Sequence, residues 1–318
     1  MEQKAIQVGT VVLILALLLR LAGSWENAGR EVGRTLLFLS SGRLVTETAA
    51  TQQEETTQPV DAEHAVTGEE IPVFGEQEEA LVQMNTQWQV DTLALLQQPL
   101  NWNLKGDEPT VLILHTHGTE SYEPDGSYQE ISGYRTLNND YNMVSIGDRV
   151  AQILETGGIR VIHDRTLHDY PSYNNAYENA RQTIGEYLTD NPSICLVLDL
   201  HRDAAEDSSG KQKTSTATVE GNQVAQLMLV MGSDKGSLSY PNWEKNLALA
   251  VKLQAQLEQT YTGLCKPIKL VGSRYNQDLS NGALLVEVGT AGNTHAQALA
   301  AAEYLAEGIL ALAKGANI

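Results

Sequence analysis

The sequence predicts an α/β domain in which a mostly parallel or mixed central sheet carries helices on both faces. Uninterrupted aliphatic runs, rather than alternating ones, are typical of strands buried on both faces, and they occupy residues 111–114, 194–200 and 283–288. Longer segments with apolar residues at helical spacing alternate with these runs, at residues 142–156, 174–188, 243–261 and 297–313. Helices that alternate with continuous aliphatic strands indicate a sheet covered on both sides.

Smaller elements complete this pattern. Gly157 and Gly158 follow the first long helix and predict a left-handed cap there, before a strand at residues 159–162. Residues 216–220 and 226–230 also have strand character, and Gly221 lies between them, so we expect a hairpin.

The N-terminal region has a different character from this domain. Residues 8–22 are apolar except for Thr10 and Arg20, which predicts a membrane anchor or signal in residues 1–24. An uncleaved anchor is the preferred reading, because no convincing cleavage site follows. In either case the rest of the chain is expected outside the cytoplasm, so the predicted location is membrane-anchored and extracytoplasmic.

Residues 25–108 are predicted to connect this anchor to a catalytic domain at residues 109–318. A juxtamembrane helix is followed by residues 46–70, which are rich in Thr, Gln, Glu and Ala and form an acidic linker. Residues 76–100 are amphipathic, and we expect them to pack on the catalytic domain or on the membrane face.

The charge and cysteine content exclude several classes of protein. The chain has 318 residues with 40 acidic and 21 basic ones, giving a net charge of -19, which argues against a nucleic-acid partner. The two cysteines, Cys195 and Cys265, form no Cys-x-x-Cys motif, so neither a disulfide framework nor a cysteine-based zinc site is expected.

Ionisable residues stand where three of the predicted strands end. The run 111–114 leads into His117-x-x-Glu120, the run 194–200 leads into His201, and the run 283–288 contains Glu287. Because the carboxyl ends of parallel strands meet at one edge of a sheet, these side chains are expected in one cleft. Two His and one Glu are a common ligand set for catalytic zinc, so His117, Glu120 and His201 are predicted Zn²⁺ ligands. Glu287 is the predicted catalytic base, since metal-assisted hydrolysis needs a separate carboxylate to move a proton.

Alternatives remain for two of the ligands. His115 could replace His117, but it still belongs to the strand and is expected to support a ligand instead. Asp140, at the start of the first long helix, could replace Glu120, or could simply stabilise the helix terminus.

Three further residues are predicted to bind substrate or support the site. Arg202 directly follows a predicted ligand and would pair either with a substrate carboxylate or with Asp199 or Asp203. Asn276 and Gln277 belong to a polar run before the Glu287 strand, which would line a substrate groove or make a structured turn.

Four ordered motifs carry a resemblance to a known family. They are the segments HTHGTESY at 115–122, DLHRD at 199–203, YNQDL at 275–279 and LLVEVG at 284–289. Together they resemble the stage II sporulation protein P family, and the similarity extends from about residue 109 to the end.

The resemblance implies a zinc-dependent N-acetylmuramoyl-L-alanine amidase, related to the amidase three group. Such proteins cut peptidoglycan between muramic acid and L-alanine, are also credited with cross-link endopeptidase activity, and act during engulfment in sporulation. It further implies peptidoglycan as substrate, the membrane as anchor and sporulation proteins D and M as partners. The alternative is a non-enzymatic wall-binding or scaffold protein with a degenerate site.

Overall fold

A seven-stranded mixed sheet forms the centre of the molecule. The computed structural model describes residues 74–100 and 102–313. The strand order is β1-β8-β7-β9-β4-β2-β3, and β5 and β6 form a separate pair. Only the β7–β9 pair is antiparallel within the described sheet. The strands are β1 Met84–Asn85, β2 Val111–Leu114, β3 Val161–His163, β4 Leu196–Asp203, β5 Thr216–Val219, β6 Asn222–Ala225, β7 Leu227–Gly232, β8 Ile268–Val271 and β9 Ala283–Thr290.

Helices cover both faces of this sheet, as predicted. They are α1 Glu76–Glu79, α2 Thr92–Gln97, α3 Met143–Thr156, α4 Ala176–Asp190, α5 Trp243–Thr260 and α6 His295–Ala313. Val111 and Ile113 join the large core under α3, α5 and α6, whereas Leu112 and Leu114 join a second core with Ala180 and Ile184 of α4. Successive strand residues point to opposite faces, and both faces are buried, so the strand is aliphatic throughout. The predicted fold class is confirmed.

The first long helix begins and ends as the sequence indicates. The Asn142 side chain accepts a hydrogen bond from the Val144 amide and caps the start of α3. Gly158, just after its end, has φ of +87°, a conformation that glycine adopts without steric cost.

The predicted hairpin has a different second strand. Thr216–Val219 pairs with Asn222–Ala225, through a two-residue turn in which Glu220 and Gly221 have φ of 51° and 84°. Two residues in the left-handed conformation make a tight turn that fixes the register of the hairpin. Its second strand therefore ends at Ala225, before residue 226. The prediction that residues 226–230 belong to the hairpin is wrong, because they lie in β7 within the central sheet.

The amphipathic segment before the domain packs on the domain. Phe74 and Leu96 are buried in the large core, and β1 pairs in parallel with β8. The predicted anchor at residues 1–24 and the linker at residues 46–70 lie outside the described residues.

Among the described residues, α6 is the one helix long and apolar enough to cross a membrane. Its residues Leu305, Ile309 and Leu312 are buried in the large core, and 44% of its apolar window is buried inside the fold. This is how the core helix of a globular domain packs.

Candidate functional site

The chain turns sharply after β2 and presents two predicted ligands on one loop. Asp199 holds this loop, because its carboxylate accepts hydrogen bonds from the Thr116 amide (2.8 Å) and hydroxyl (2.6 Å). The Glu120 amide then donates to the His117 carbonyl at 3.1 Å and closes a tight turn. His117 and Glu120 therefore stand together at the carboxyl end of β2.

The other two predicted residues face each other on neighbouring strands. His201 of β4 is paired in register with Glu287 of β9. Asp199 and His201 lie two residues apart and so share one face of β4. The imidazole of His201 is therefore close to Asp199 on its own strand and to Glu287 on the next strand, and Glu120 approaches it from the β2 loop.

The structure brings His117, Glu120, His201 and Glu287 into one cluster. The rings of His117 and His201 are nearly perpendicular with centroids 5.4 Å apart. His201 Nδ1 lies 3.6 Å from Glu120 Oε2, and its Nε2 lies 3.0 Å from Asp199 Oδ1. The exposed fractions of His117, Glu120 and His201 are 8%, 6% and 4%, so the cluster is almost dehydrated.

Several buried polar atoms of this cluster have no hydrogen-bond partner among the described residues. They include His117 Nδ1 and Glu287 Oε2. His201 Nε2 is also without one, since the Asp199 contact at 3.0 Å has the distance but not the angle of a hydrogen bond. A buried polar group without a hydrogen bond lowers the stability of the fold, and three such groups within one cluster point to a ligand there.

The residues of the cluster have very different pKa values. Burial, together with the nearby His201, lowers the pKa of His117 to about 4. Burial also disfavours charge on His201, but Asp199, Glu120 and Glu287 outweigh it and raise its pKa to about 10. Burial raises the pKa of Glu287 to about 8. A carboxyl group that titrates near neutrality can both accept and return a proton.

His115 and Asp140, the two alternative ligands, are placed away from this cluster. His115 is fully buried, with Nδ1 3.2 Å from the Leu200 carbonyl and Nε2 2.9 Å from His163 Nε2. Burial lowers the pKa of His115 to about 3, so the ring is neutral. Asp140 is exposed to solvent at the start of α3.

Arg202 is engaged within the protein. Its Nε donates to the Ser121 carbonyl at 3.0 Å, and Nη2 donates to the carbonyls of Gly133 and Tyr134. Its Nη1 lies 3.5 Å from Glu120 Oε1. These contacts leave no free fork for a substrate carboxylate. The acid beside the guanidinium is Glu120, and not Asp199 or Asp203 as expected.

Asn276 and Gln277 form a structured turn. Gln277 is 2% exposed and hydrogen-bonds Gly232 N and Val230 O at the end of β7. Asn276 has φ of 59° and donates to the Tyr177 carbonyl at 2.8 Å. Both side chains are used inside the fold, which matches the alternative of a structured turn, and Asn276 supports the backbone of Tyr177 beside the site.

Two tyrosines complete the site and were not predicted. The Tyr173 ring stacks on His117 with centroids 4.3 Å apart and planes 8° apart, and Tyr177 approaches the same ring edge-on at 5.5 Å. Burial raises the pKa of Tyr177 far above its usual value, so it stays protonated. Their spacing of four residues at the start of a helix was the available signal, since such residues share one face.

The residues fit zinc in the kind of donors they supply. Two imidazoles and one carboxylate are in contact, and two of the imidazole nitrogens are buried without a hydrogen bond. Among the described residues, however, no three His, Cys, Asp or Glu side chains are arranged to hold a metal ion together.

A family model places the chain among known proteins. The model of Stage II sporulation protein P matches residues 33–310, which is most of the chain. The chain belongs to the Stage II sporulation protein P family. The resemblance carried by the four motifs is thereby confirmed.

One curated member of the family gives the degree of similarity. Stage II sporulation protein P of Bacillus subtilis (strain 168) is 32% identical over 201 residues, covering 59% of this chain and 47% of that protein. The chain thus spans about half the length of this relative.

Two solved structures illustrate the distant structural matches of this chain. The N-acetylmuramoyl-L-alanine amidase AmiC2 of Nostoc punctiforme is 15% identical, covers 65% of this chain and 97% of that chain, and has a TM-score of 0.36. The CwlD amidase from Clostridioides difficile, in complex with the GerS lipoprotein, is 14% identical, with 65% and 95% coverage and a TM-score of 0.38. With such low identities and TM-scores, the family assignment rests on the sequence match alone.

Proposed function

We propose that this protein is a zinc-dependent peptidoglycan hydrolase that cleaves the amide between N-acetylmuramic acid and L-alanine during engulfment in sporulation. The observation that carries the proposal is the register of His201 with Glu287, beside His117 and Glu120 from the β2 loop. Membership of the Stage II sporulation protein P family supports the setting in sporulation.

His117, Glu120 and His201 would hold the metal. Bound zinc supplies Lewis-acid polarisation of the scissile carbonyl and activates water near neutral pH. Asp199 holds the loop of His117 through its hydrogen bonds with Thr116, and it also lies against His201. One carboxylate thus orients both the loop after β2 and the imidazole on β4. Arg202 similarly fixes Glu120, since its amide donates to Glu120 Oε2 at 3.2 Å.

Glu287 is the residue that moves the proton. Its Oε2 is free of hydrogen bonds among the described residues, so a proton can be taken and released there without breaking an existing contact. It accepts the proton of the attacking water and returns it to the nitrogen of the leaving L-alanine. Tyr173 and Tyr177 pack against the ring of His117 and hold its orientation.

The wider setting follows from the same proposal. The N-terminal segment would anchor the chain in the membrane with the domain outside the cytoplasm, where peptidoglycan is the substrate and sporulation proteins D and M are the partners. Hydrolysis of cross-link peptides is the second activity that we include in the proposal.

Mass spectrometry of a peptidoglycan digest by the full chain tests this proposal. Amidase activity releases intact stem peptides from unbroken glycan, whereas endopeptidase activity alone leaves the L-alanine amide intact. Products in which every muramoyl–L-alanine bond survives would overturn the amidase assignment.

A wall-binding or scaffold protein is the second candidate. The exposed side chains of Ile131, Tyr170 and Tyr173 beside the site would serve a binding protein as well as an enzyme. Binding to insoluble peptidoglycan, without any released product and without zinc after reconstitution, would favour this candidate.

A further inference from the structure

A cleft next to the candidate site shares the side chain of Tyr173 with it. Its volume is about 200 Å³, and Thr119, Ile131, Arg135, Asp169, Tyr170 and Tyr173 contribute to its walls. Tyr173 belongs to both places, because it lines the cleft and stacks on His117 at 4.3 Å. A molecule in the cleft would therefore contact a side chain that also packs on a predicted metal ligand.

The walls of the cleft are unusually apolar for a protein surface. Among the described residues, five large apolar or aromatic side chains are exposed, and three of these, Ile131 (45%), Tyr170 (53%) and Tyr173 (47%), line this cleft. Clustered exposed apolar groups with a polar rim mark a binding surface.

Arg135 is the basic residue of this cleft, and its charge is not neutralised. Its Nε has a long contact of 3.4 Å to the Ser132 carbonyl, and its guanidinium carbon lies 5.0 Å from the Tyr173 ring centroid. It has no ion pair with a carboxylate among the described residues. Arg149, Arg165 and Arg181 each have such a pair.

Asp169, the acidic residue of the cleft, is held by Thr119, and its Oδ2 lies 3.9 Å from His117 Nδ1. Its two oxygens accept hydrogen bonds from the Thr119 amide at 3.1 Å and the Thr119 hydroxyl at 2.5 Å. The cleft thus offers a free guanidinium fork and apolar walls, which suits a ligand with a carboxylate and short aliphatic groups.

We propose that this cleft binds the acidic stem peptide of peptidoglycan, with Arg135 pairing with the free carboxylate of the residue after L-alanine. The proposal rests on the function proposed above. The stem peptide is favoured over the glycan, because the muramic lactyl carboxylate is tied up in the amide and leaves the glycan no free carboxylate for Arg135. Tyr170 and Ile131 would contact the alanine methyl groups.

Muropeptides that differ in one group test this proposal. The second residue of the stem peptide is supplied either with its free carboxylate or as the amide, and cleavage by the full chain is measured for both. We expect the wild type to prefer the acid about tenfold or more in kcat/KM, mainly through KM. Arg135→Gln should abolish the preference by raising KM for the acid, and Arg135→Lys should restore part of it.

Arg160→Gln is the matched control. Arg160 is exposed, and its carbonyl accepts the Thr110 and Val111 amides at the start of β2, the opposite edge of the sheet. The Arg160→Gln variant should keep the wild-type ratio of kcat/KM between the acid and the amide. A wild-type ratio in Arg135→Gln would overturn the proposal. If both substrates were then cleaved equally weakly, and Tyr170→Ala also lowered cleavage of both, the cleft would be assigned to the glycan instead.

Calorimetric binding of the same two muropeptides separates this proposal from the proposed function. If the wild type cleaves neither form but binds the acid more tightly through Arg135, the amidase assignment fails and the cleft assignment stands. If the wild type cleaves both and Arg135→Gln neither binds nor cleaves them differently from the wild type, the cleft assignment fails and the amidase stands.

Discussion

His115 and His117 stand two residues apart at the end of β2, yet they lie in opposite kinds of surroundings. On the His115 side, the ring contacts the Leu200 carbonyl and His163, and His163 Nδ1 donates to Asp148 at 3.0 Å. On the His117 side, the Nδ1 of His117 and Oε2 of Glu287 are buried without a partner. The difference indicates that hydrogen-bond satisfaction, rather than residue type, separates a structural polar cluster from a chemical one.

Replacing Glu287 by Gln gives the largest expected effect. The amide keeps the shape of the side chain but cannot take up a proton, so cleavage of purified peptidoglycan should fall by about two to four orders of magnitude. Thermal unfolding should stay near that of the wild type, and zinc should stay bound. Wild-type turnover in this variant would remove Glu287 from the proposed mechanism.

Replacing each histidine by alanine tests the comparison itself. His115→Ala leaves the Leu200 carbonyl and His163 Nε2 without a partner in the interior, and we expect the free energy of unfolding to fall by about 2–4 kcal/mol. His117→Ala removes no hydrogen bond of Nδ1 but removes the ring that stacks on Tyr173, so its loss should be smaller, about 1–2 kcal/mol, while hydrolysis stops. Chemical denaturation of both variants measures the difference in the free energy of unfolding. Equal losses in the two variants would contradict the assignment of His115 to a structural cluster and His117 to a chemical one.

A glycine under the His115 cluster gives a smaller effect. A Cβ at Gly147 of α3 would lie 2.4 Å from His163 Nε2 and 2.6 Å from His115 Nε2. Gly147→Ala should therefore lower the free energy of unfolding by about 1–3 kcal/mol.

Gly185 of α4 supplies the control for that substitution. A Cβ there would meet nothing within 4 Å, so Gly185→Ala should raise the free energy of unfolding by about 0.5–1 kcal/mol through helix propensity. If both substitutions changed the unfolding free energy in the same direction, the close packing around the histidine pair would be in doubt.

The sequence predicted the elements that depend on local patterns and missed those that depend on distant partners. Continuous aliphatic runs identified β2, β4 and β9, because burial on both faces leaves a signal in every residue. The strand β8 escaped prediction, since Lys269 interrupts its apolar run and its pairing with β1 and β7 is not local. The second strand of the hairpin was expected at residues 226–230 and lies at Asn222–Ala225, because a two-residue turn was not recognised at Glu220 and Gly221.

The same limit applies to the site. Residues at strand ends could be expected to meet, since parallel strands share an edge, and His117, Glu120, His201 and Glu287 do meet. Which polar residues are free could not be foreseen. Arg202 looked available and is held by backbone carbonyls, whereas Arg135, which carries no motif, faces an open cleft.

Zinc content measured together with a peptidoglycan digest tests the central claim most directly. The full chain, His117→Ala, His201→Ala and His295→Ala are compared, and His295 serves as the control because its ring contacts Ser145 and not the site. The account predicts one zinc per chain and muramoyl–L-alanine cleavage in the wild type and in His295→Ala, and the loss of both in the other two. A wild type that takes up no zinc after reconstitution, or zinc retained fully in both His117→Ala and His201→Ala, would contradict it.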